Sequence, residues 1–329
     1  MTPQALKETL SSLITQKLPA FIWGPSGIGK TSIVKEIAED MGVNFSDICL
    51  TSLDPSDLRS RSFLNKGEAV WFTPSFLPKL DEKGGILFLG DLNLAHPSVQ
   101  AAAYQLILDR RIGEYLLPDN WAIIASGNRD SDGQADMLPS LANRFVHFEM
   151  EFSIDDWKHW AFREKLDDAI ISFISLHHDA LFTFDPASKE KAFATPRSWK
   201  FVDTILKSKM KDIHLLESIS GAIGKTVATQ FLAYMNDSWE LPMFQEIFDG
   251  RSQHYPKDEM ALSIMATVLV SNALRKPDKK VLNHLLHYTI NLDAKFAMMI
   301  IDDLYSQGVR FNRLEAWKAW SEKFSYSKR

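Results

Sequence analysis

The stretch Gly24-Pro25-Ser26-Gly27-Ile28-Gly29-Lys30-Thr31 constrains this 329-residue chain more than any other. It completes the pattern G-x-x-x-x-G-K-T of a phosphate-binding loop. Its flanks agree with that reading. Leu18 to Trp23 is a short apolar run ending at a glycine, the pattern of a buried strand. From Lys30 to Met41 the apolar residues Ile33, Val34, Ile37, Ala38 and Met41 recur at the spacing of one helix face. Strand, glycine loop and helix N-terminus together make an anion site, because backbone N–H groups can approach the anion and the helix dipole adds positive potential. In such a loop Lys30 is expected to reach the β- and γ-phosphates of a nucleotide, and the Thr31 hydroxyl to bind Mg²⁺.

The rest of the first half alternates. A lead-in helix is expected over 3–16, and a strand over Asn44 to Thr51. Residues 54–80 read as irregular, with a hairpin across Asn65-Lys66-Gly67. A long, weakly regular stretch inside an α/β unit is usually functional, and this one carries the aromatics Phe63, Trp71, Phe72 and Phe76. Further strands are expected over Gly85 to Leu89, Trp121 to Ala125 and Phe145 to Phe148. Between them come a helix opened by His96-Pro97-Ser98 and running through Asp109, a small hairpin over Ile112 to Leu117, and a short helix over 138–143. Strands separated by helices argue for a parallel sheet covered on both faces. After residue 152 the strand pattern stops and only helical patterns follow. A second interruption comes at Asn236-Asp237-Ser238 and Pro242. The expected domains are therefore 1–151, 152–240 and 241–329. The one cysteine, Cys49, is expected as a small core residue within the second strand.

A formal net charge of −5 argues against a nucleic-acid or anionic-membrane partner. No N-terminal apolar segment has the pattern of a signal peptide and no run approaches a membrane span, so a cytoplasmic protein is expected.

Three polar residues outside the loop stand out. Asn128 follows the apolar strand that ends in Ala125-Ser126-Gly127. Ligands of open parallel sheets lie beyond the carboxyl ends of the strands, so Asn128 is placed either to hold a water near a γ-phosphate or simply to make a turn. Arg144 lies between the short helix and the last strand. It can reach a neighbouring subunit's nucleotide and stabilise transition-state charge, or cap its own helix. Arg197 follows Thr195-Pro196, a strong helix start, so its charge opposes the helix dipole; it meets either an anionic partner or solvent.

Taken together these stretches resemble an AAA+ ATPase, and more closely the MoxR family. The resemblance rests on GPSGIGKT at 24–31, on ILFLGDLN at 86–93 followed by VQAAAYQLILDRRIGEYLLPDNW at 99–121, on ASGNRD at 125–130 with LPSLANRF at 138–145, and on ATPRSW at 194–199. In that family they are, in order, the Walker A, Walker B, sensor 1, arginine-finger and sensor 2 elements. The segment GAIGKTVATQFLAYM at 221–235 is similar to the family's lid domain.

The resemblance implies an α/β P-loop AAA+ core with a parallel five-stranded sheet, an all-α lid domain and a helical C-terminal extension. It implies that Gly24, Pro25, Ser26, Gly27, Ile28, Gly29, Lys30 and Thr31 bind ATP, that Thr31 and Asp91 serve Mg²⁺, and that Asp91, Asn128, Arg144 and Arg197 act in hydrolysis, with Arg144 reaching across to a neighbouring subunit. It implies that residues 54–80 and the hairpin from Gly113 to Asn120 face the pore of a hexameric homo-oligomer. The family's task is chaperone-like remodelling of a protein partner, usually one with a von Willebrand A domain. One departure matters. The family's acidic pair after the Walker B strand stands here as Gly90-Asp91, so the metal-linked aspartate is a glycine and the catalytic glutamate an aspartate. Two functions are therefore expected to compete: a ring ATPase, and a nucleotide-binding assembly subunit with little or no hydrolysis.

Overall fold

The structure is a computed structural model. It describes residues 1–58, 61–65, 68–72, 74–79, 83–128, 137–185, 187–188, 190–208, 210–236, 244–252, 254–275 and 277–326, the side chains of 61–72, 212, 244 and 245 excepted. The chain divides into two compact units, Met1–Ser153 and Ile154–Arg329.

The first unit is built on five parallel strands: β1 (Ala20–Trp23), β2 (Asn44–Cys49), β3 (Gly85–Gly90), β4 (Trp121–Gly127) and β5 (Val146–Glu149). Their order across the sheet is β2-β3-β4-β1-β5. The interior strands β3 and β4 are buried at every residue, which is why GILFLG and WAIIASG read as continuous apolar runs without alternation. Their side chains still divide between two faces. Ile86, Phe88, Ala122 and Ile124 pack with Leu6, Leu10 and Ile14 of helix α1 (Pro3–Thr15) and with Ile33, Val34 and Ile37 of helix α2 (Lys30–Met41). Leu87, Leu89, Ile123 and Ala125 point the other way, onto Val99, Ala102, Ala103 and Leu106 of helix α3 (Pro97–Asp109). The parallel five-stranded sheet covered by helices is thus present, as the alternation of elements requires.

Three local expectations change. β1 starts at Ala20 rather than Leu18: after α1 the chain turns through Lys17 at φ +58°, and Leu18 is left exposed. Met41 leaves the apolar face of α2, because the helix ends there at Gly42, φ +63°, and the side chain is exposed. Cys49 is not a core residue. It is the last residue of β2, an edge strand in which only Ile48 is buried, and it lies in solvent with Sγ 3.2 Å from Thr51 Oγ1.

The stretch 54–80 is more ordered than its composition suggests. It holds a short helix, Pro55–Leu58, and an antiparallel pair, Arg61–Asn65 with Glu68–Phe72, in which Asn65 faces Glu68. The turn at Lys66-Gly67 lies outside the described residues. A second hairpin pairs Arg111–Ile112 with Tyr115–Leu116. Arg110 fixes its base by donating to the carbonyls of Pro118 and Trp121, both at 2.7 Å, and the Tyr115 hydroxyl donates to the Pro78 carbonyl at 2.8 Å.

The second unit holds helices and no strand among its described residues. Its hydrophobic core includes Phe173, Trp199, Phe231, Ile300, Phe311 and Trp320, so segments from both sides of residue 240 contribute to one core. The interruption expected near 240 falls in residues 237–243, outside those described. Within this core Lys158 Nζ meets both carboxylate oxygens of Asp303, at 2.9 and 2.7 Å, and both residues are buried.

Candidate nucleotide site

β1 lies between β4 and β5, and its register sets Trp23 beside Gly127 on one side and Glu149 on the other. The glycine loop leaving β1 and the turn leaving β4 therefore emerge side by side at the carboxyl edge of the sheet, where open α/β folds take their ligands. Gly90-Asp91 leaves β3 at the same edge, one strand further out.

The loop needs its glycines. Gly27 and Gly29 stand at φ +79° and +112°, backbone that a side chain disfavours. Gly24 approaches Met150 so closely that an added Cβ would lie 3.2 Å from the Met150 carbonyl oxygen. Ile28 is buried against the α2 face and anchors the loop from below. Gly29 caps α2, which starts with Lys30 and Thr31. The Lys30 side chain is buried and curls back over its own loop, its ammonium donating to the carbonyls of Gly24 at 2.6 Å and Pro25 at 3.0 Å. A cation held by carbonyls across a ring of amide donors is an arrangement that an anionic ligand completes.

At the end of β3, Asp91 takes the left-handed conformation, φ +53°, and begins the turn Leu92–Leu94. The next polar residue, Asn93, is buried. Its amide brackets the main chain of Asn128: Oδ1 accepts the Asn128 N–H at 3.1 Å, and Nδ2 donates to the Asn128 carbonyl at 2.8 Å. Asn93 is held in turn by the buried Gln100 of α3, whose amide donates to the carbonyls of Asn93 at 3.3 Å and Ala95 at 3.1 Å. Gly127 leaves the room this needs, since a Cβ there would lie 2.4 Å from Asn93 Oδ1 and 2.7 Å from Phe21 Cζ.

Arg144 follows a short helix, Pro139–Ala142. Its guanidinium is exposed and rests against Tyr104, with Nη2 3.4 Å from the hydroxyl and Cζ 5.9 Å from the ring centre. The Trp23 indole N–H donates to His147 Nδ1 at 3.0 Å, and His147 Nε2 lies 2.8 Å from the Ala142 carbonyl, so the strand that carries the glycine loop also braces the turn that carries Arg144. Arg197 belongs to the second unit. Thr195 and Ser198 form a reciprocal capping box at its helix (Pro196–Lys207), and Arg197 is exposed in the first turn.

The first unit thus brings together Gly24 to Thr31, Asp91 and Asn128 at one sheet edge. Residue motifs alone did not find Asn93, Gln100 or Asp47. Asp47 is an exposed residue of β2; desolvation and then the negative charge of Asp91 push its carboxyl above the usual carboxylate range. An aspartate inside a strand, a position that usually avoids it, was the available signal. Among the described residues no group of three or more His, Cys, Asp or Glu side chains is placed to hold a metal ion. The donors at this edge, the Thr31 hydroxyl and the Asp91 carboxylate, are hard oxygens, and that chemistry fits Mg²⁺, which keeps several of its waters.

Residues 19–145 match the family model described as AAA domain (dynein-related subfamily). No curated protein matches the chain. Similar solved structures include a putative ATPase from Cytophaga hutchinsonii, at 14% identity and a TM-score of 0.37, covering 70% of this chain and 88% of that one. They also include the RuvB Holliday junction branch migration motor of Thermotoga maritima, at 16% identity and 0.39, covering 83% and 84%. NtrX from Brucella abortus in complex with ADP is similar at 13% identity and 0.42, covering 93% and 68%. No helix among the described residues is long and apolar enough to cross a membrane.

Proposed function

We propose, from the match of residues 19–145 to an AAA-domain model and from the P-loop fold with its parallel five-stranded sheet, that the chain is an ATPase of MoxR type. It acts as a ring, hexameric by resemblance, that remodels a protein partner with a von Willebrand A domain in the cytoplasm. In this reading residues 1–151 are the core, 152–240 the lid and 241–329 a helical extension. The observation that carries it is the glycine loop with its folded-back lysine beside the Asn93-clamped Asn128. Gly24 to Gly29 and Lys30 bind the phosphates. Thr31 and Asp91 would hold Mg²⁺, which when bound would offset phosphate charge. Asn128 orients water, and Arg144 and Arg197 sense or stabilise the γ-phosphate from a neighbouring subunit and from the lid.

Lys30→Ala tests the binding step. It removes a cation from the phosphates, so ATP affinity falls while adenosine affinity stays. Equal ATP affinity in wild type and variant would sink the proposal.

A second reading, a nucleotide-binding assembly subunit with little turnover, is favoured by one observation: position 90 offers no ligand. Misplacement of a catalytic group by about 1 Å can cost roughly a hundredfold in rate, and Asp91 is one methylene shorter than glutamate. Steady-state phosphate release separates the readings. Turnover typical of ring ATPases supports the motor, and firm binding without release supports the assembly subunit.

A further inference from the structure

Gly90 leaves a side-chain position empty at the end of β3, and the neighbouring strand reaches towards it. A Cβ built on Gly90 would lie 3.9 Å from Asp47 Oδ1, with the Ile48 carbonyl oxygen at 3.6 Å and Phe88 Cε1 at 3.7 Å. We propose that Asp47 supplies, from β2, the carboxylate missing at position 90, and that it serves the water shell of the Mg²⁺ bound with nucleotide. This rests on the nucleotide-binding reading above.

The sheet register supports it. Asp47 pairs with Phe88 and Cys49 with Gly90, so residues 47, 88 and 90 share one face. Phe88 packs in the cluster of Ile33, Val34 and Ile37, which identifies that face as the one covered by α2. The same helix begins with Lys30 and Thr31. A carboxylate beside Gly90 on this face therefore lies on the side of the sheet that α2 covers.

The charges support it as well. Asp47 is exposed in β2; among the described residues its carboxylate makes no ion pair and no side-chain hydrogen bond, and the charge acting on it is that of Asp91, of the same sign. Two carboxylates near enough to act on each other without a cation repel, and a divalent ion with its waters would relieve that repulsion. An edge strand does use charges to block pairing with other chains, but that task needs no particular position along the edge. It does not explain a carboxylate beside a glycine at the one strand end where the resemblance expects an acid.

Glycine at 90 and aspartate at 47 are then one arrangement, and the carboxylate is transferable between them. The test uses Mn²⁺ as a spin probe, titrated into the ADP complex of the full chain and read by EPR. The affinity of a fluorescent ADP in EDTA reports the folded, metal-free site. Asp47→Asn should weaken Mn²⁺ about tenfold or more while leaving the EDTA affinity within about twofold. Adding Gly90→Asp to Asp47→Asn should restore most of the Mn²⁺ affinity. Gly90→Asp alone crowds a third carboxylate into the site and should not improve on wild type. Unchanged Mn²⁺ affinity in Asp47→Asn overturns the proposal. So does a loss that Gly90→Asp fails to restore, because a merely structural role would not move with the charge. Wild-type protein that binds no ADP with or without metal would instead refute the nucleotide reading on which the proposal stands.

Discussion

The side-chain amide of Asn93 continues the sheet where the backbone ladder stops. Pairing between β3 and β4 ends at Leu89 and Ala125. Beyond it, Asn93 Oδ1 and Nδ2 take both the N–H and the carbonyl of Asn128. One buried residue thus fixes the two acidic and amide stations of the site, Asp91 and Asn128, with respect to each other.

Removing that amide should be costly. Asn93→Ala removes the two hydrogen bonds that Asn93 makes with the Asn128 main chain, and bonds left unmade at part-buried groups cost about 1–3 kcal/mol each. A fall in urea unfolding stability of about 2–4 kcal/mol is expected, together with a larger loss of phosphate release than of ATP affinity. Asn93→Asp keeps the acceptor but turns a second oxygen towards the Asn128 carbonyl, so it should be no milder than alanine. Wild-type stability in either variant would show that the bracket is not structural.

Gly127→Ala tests the same contact from the other side. The new methyl would meet Asn93 Oδ1 at 2.4 Å and the Phe21 ring at 2.7 Å, and such overpacking costs about 1–3 kcal/mol. Much of the clash is with Asn93 itself. The double variant Gly127→Ala/Asn93→Ala should therefore lose less than the two single losses added together, measured as a double-mutant cycle in urea. Strict additivity would mean that Phe21 alone carries the cost.

These contacts show where the sequence was legible and where it was not. The glycine loop, the five strands and the Thr195 cap could be read directly, because each depends on local spacing: a motif, a run of apolar residues, a threonine directly before a proline. The clamp on Asn128 depends on two segments 35 residues apart, and nothing in the DLN triplet announces it. Cys49 was misplaced for a related reason. Strand residues near the sequence end of an apolar stretch look buried, but among the described residues β2 has a neighbouring strand on one side only. Gly90 read only as a departure from an acidic pair and Asp47 drew no reading, because only the pairing of β2 with β3 brings them together.

The buried pair of the helical unit should respond asymmetrically. Lys158→Met leaves Asp303 in the core without its cation, and breaking such a pair costs about 3–5 kcal/mol. Burial already pushes the Asp303 carboxyl above its usual range, against the opposing pull of Lys158. Replacing both, as Lys158→Met/Asp303→Leu, removes the desolvation cost as well and should return stability to within about 1–2 kcal/mol of wild type. Thermal unfolding of the three proteins decides, and a double variant as damaged as the single would refute the argument.

Alkaline pH should load the helical core at Tyr234. Burial raises its hydroxyl from 10.0 to about 12, a shift only partly opposed by Ser172. The folded state thus holds a proton that the unfolded chain releases near its ordinary tyrosine value. The stabilisation is complete below pH 10 and is lost as pH rises through about 12. Tyr234→Phe has no proton to lose there. Its stability should fall less steeply than that of wild type across this window in urea melts, and parallel curves would show that Tyr234 does not contribute.

Arg144 makes the most direct prediction about assembly. Among the described residues its guanidinium rests on Tyr104, at the weak distance of 3.4 Å, and it is solvent-exposed. Trp23 and His147 nevertheless brace the turn that presents it, as expected for a group positioned to act outside its own subunit. In the proposed ring it would complete a neighbour's nucleotide site, and a trans arginine of this kind is worth on the order of 10³ or more in rate. Arg144→Ala should therefore abolish measurable phosphate release while leaving ATP affinity and assembly intact. Lys30→Ala disables the other half of the same site. When the two inactive proteins are mixed, some interfaces pair an intact loop with an intact arginine, and part of the activity should return, in proportion to the number of such interfaces. Sedimentation with ATP and Mg²⁺ confirms that both variants assemble. Absence of rescue at every mixing ratio, with assembly intact, would place Arg144 outside the neighbour's site, and a wild-type chain that stays monomeric under these conditions would remove the ring itself.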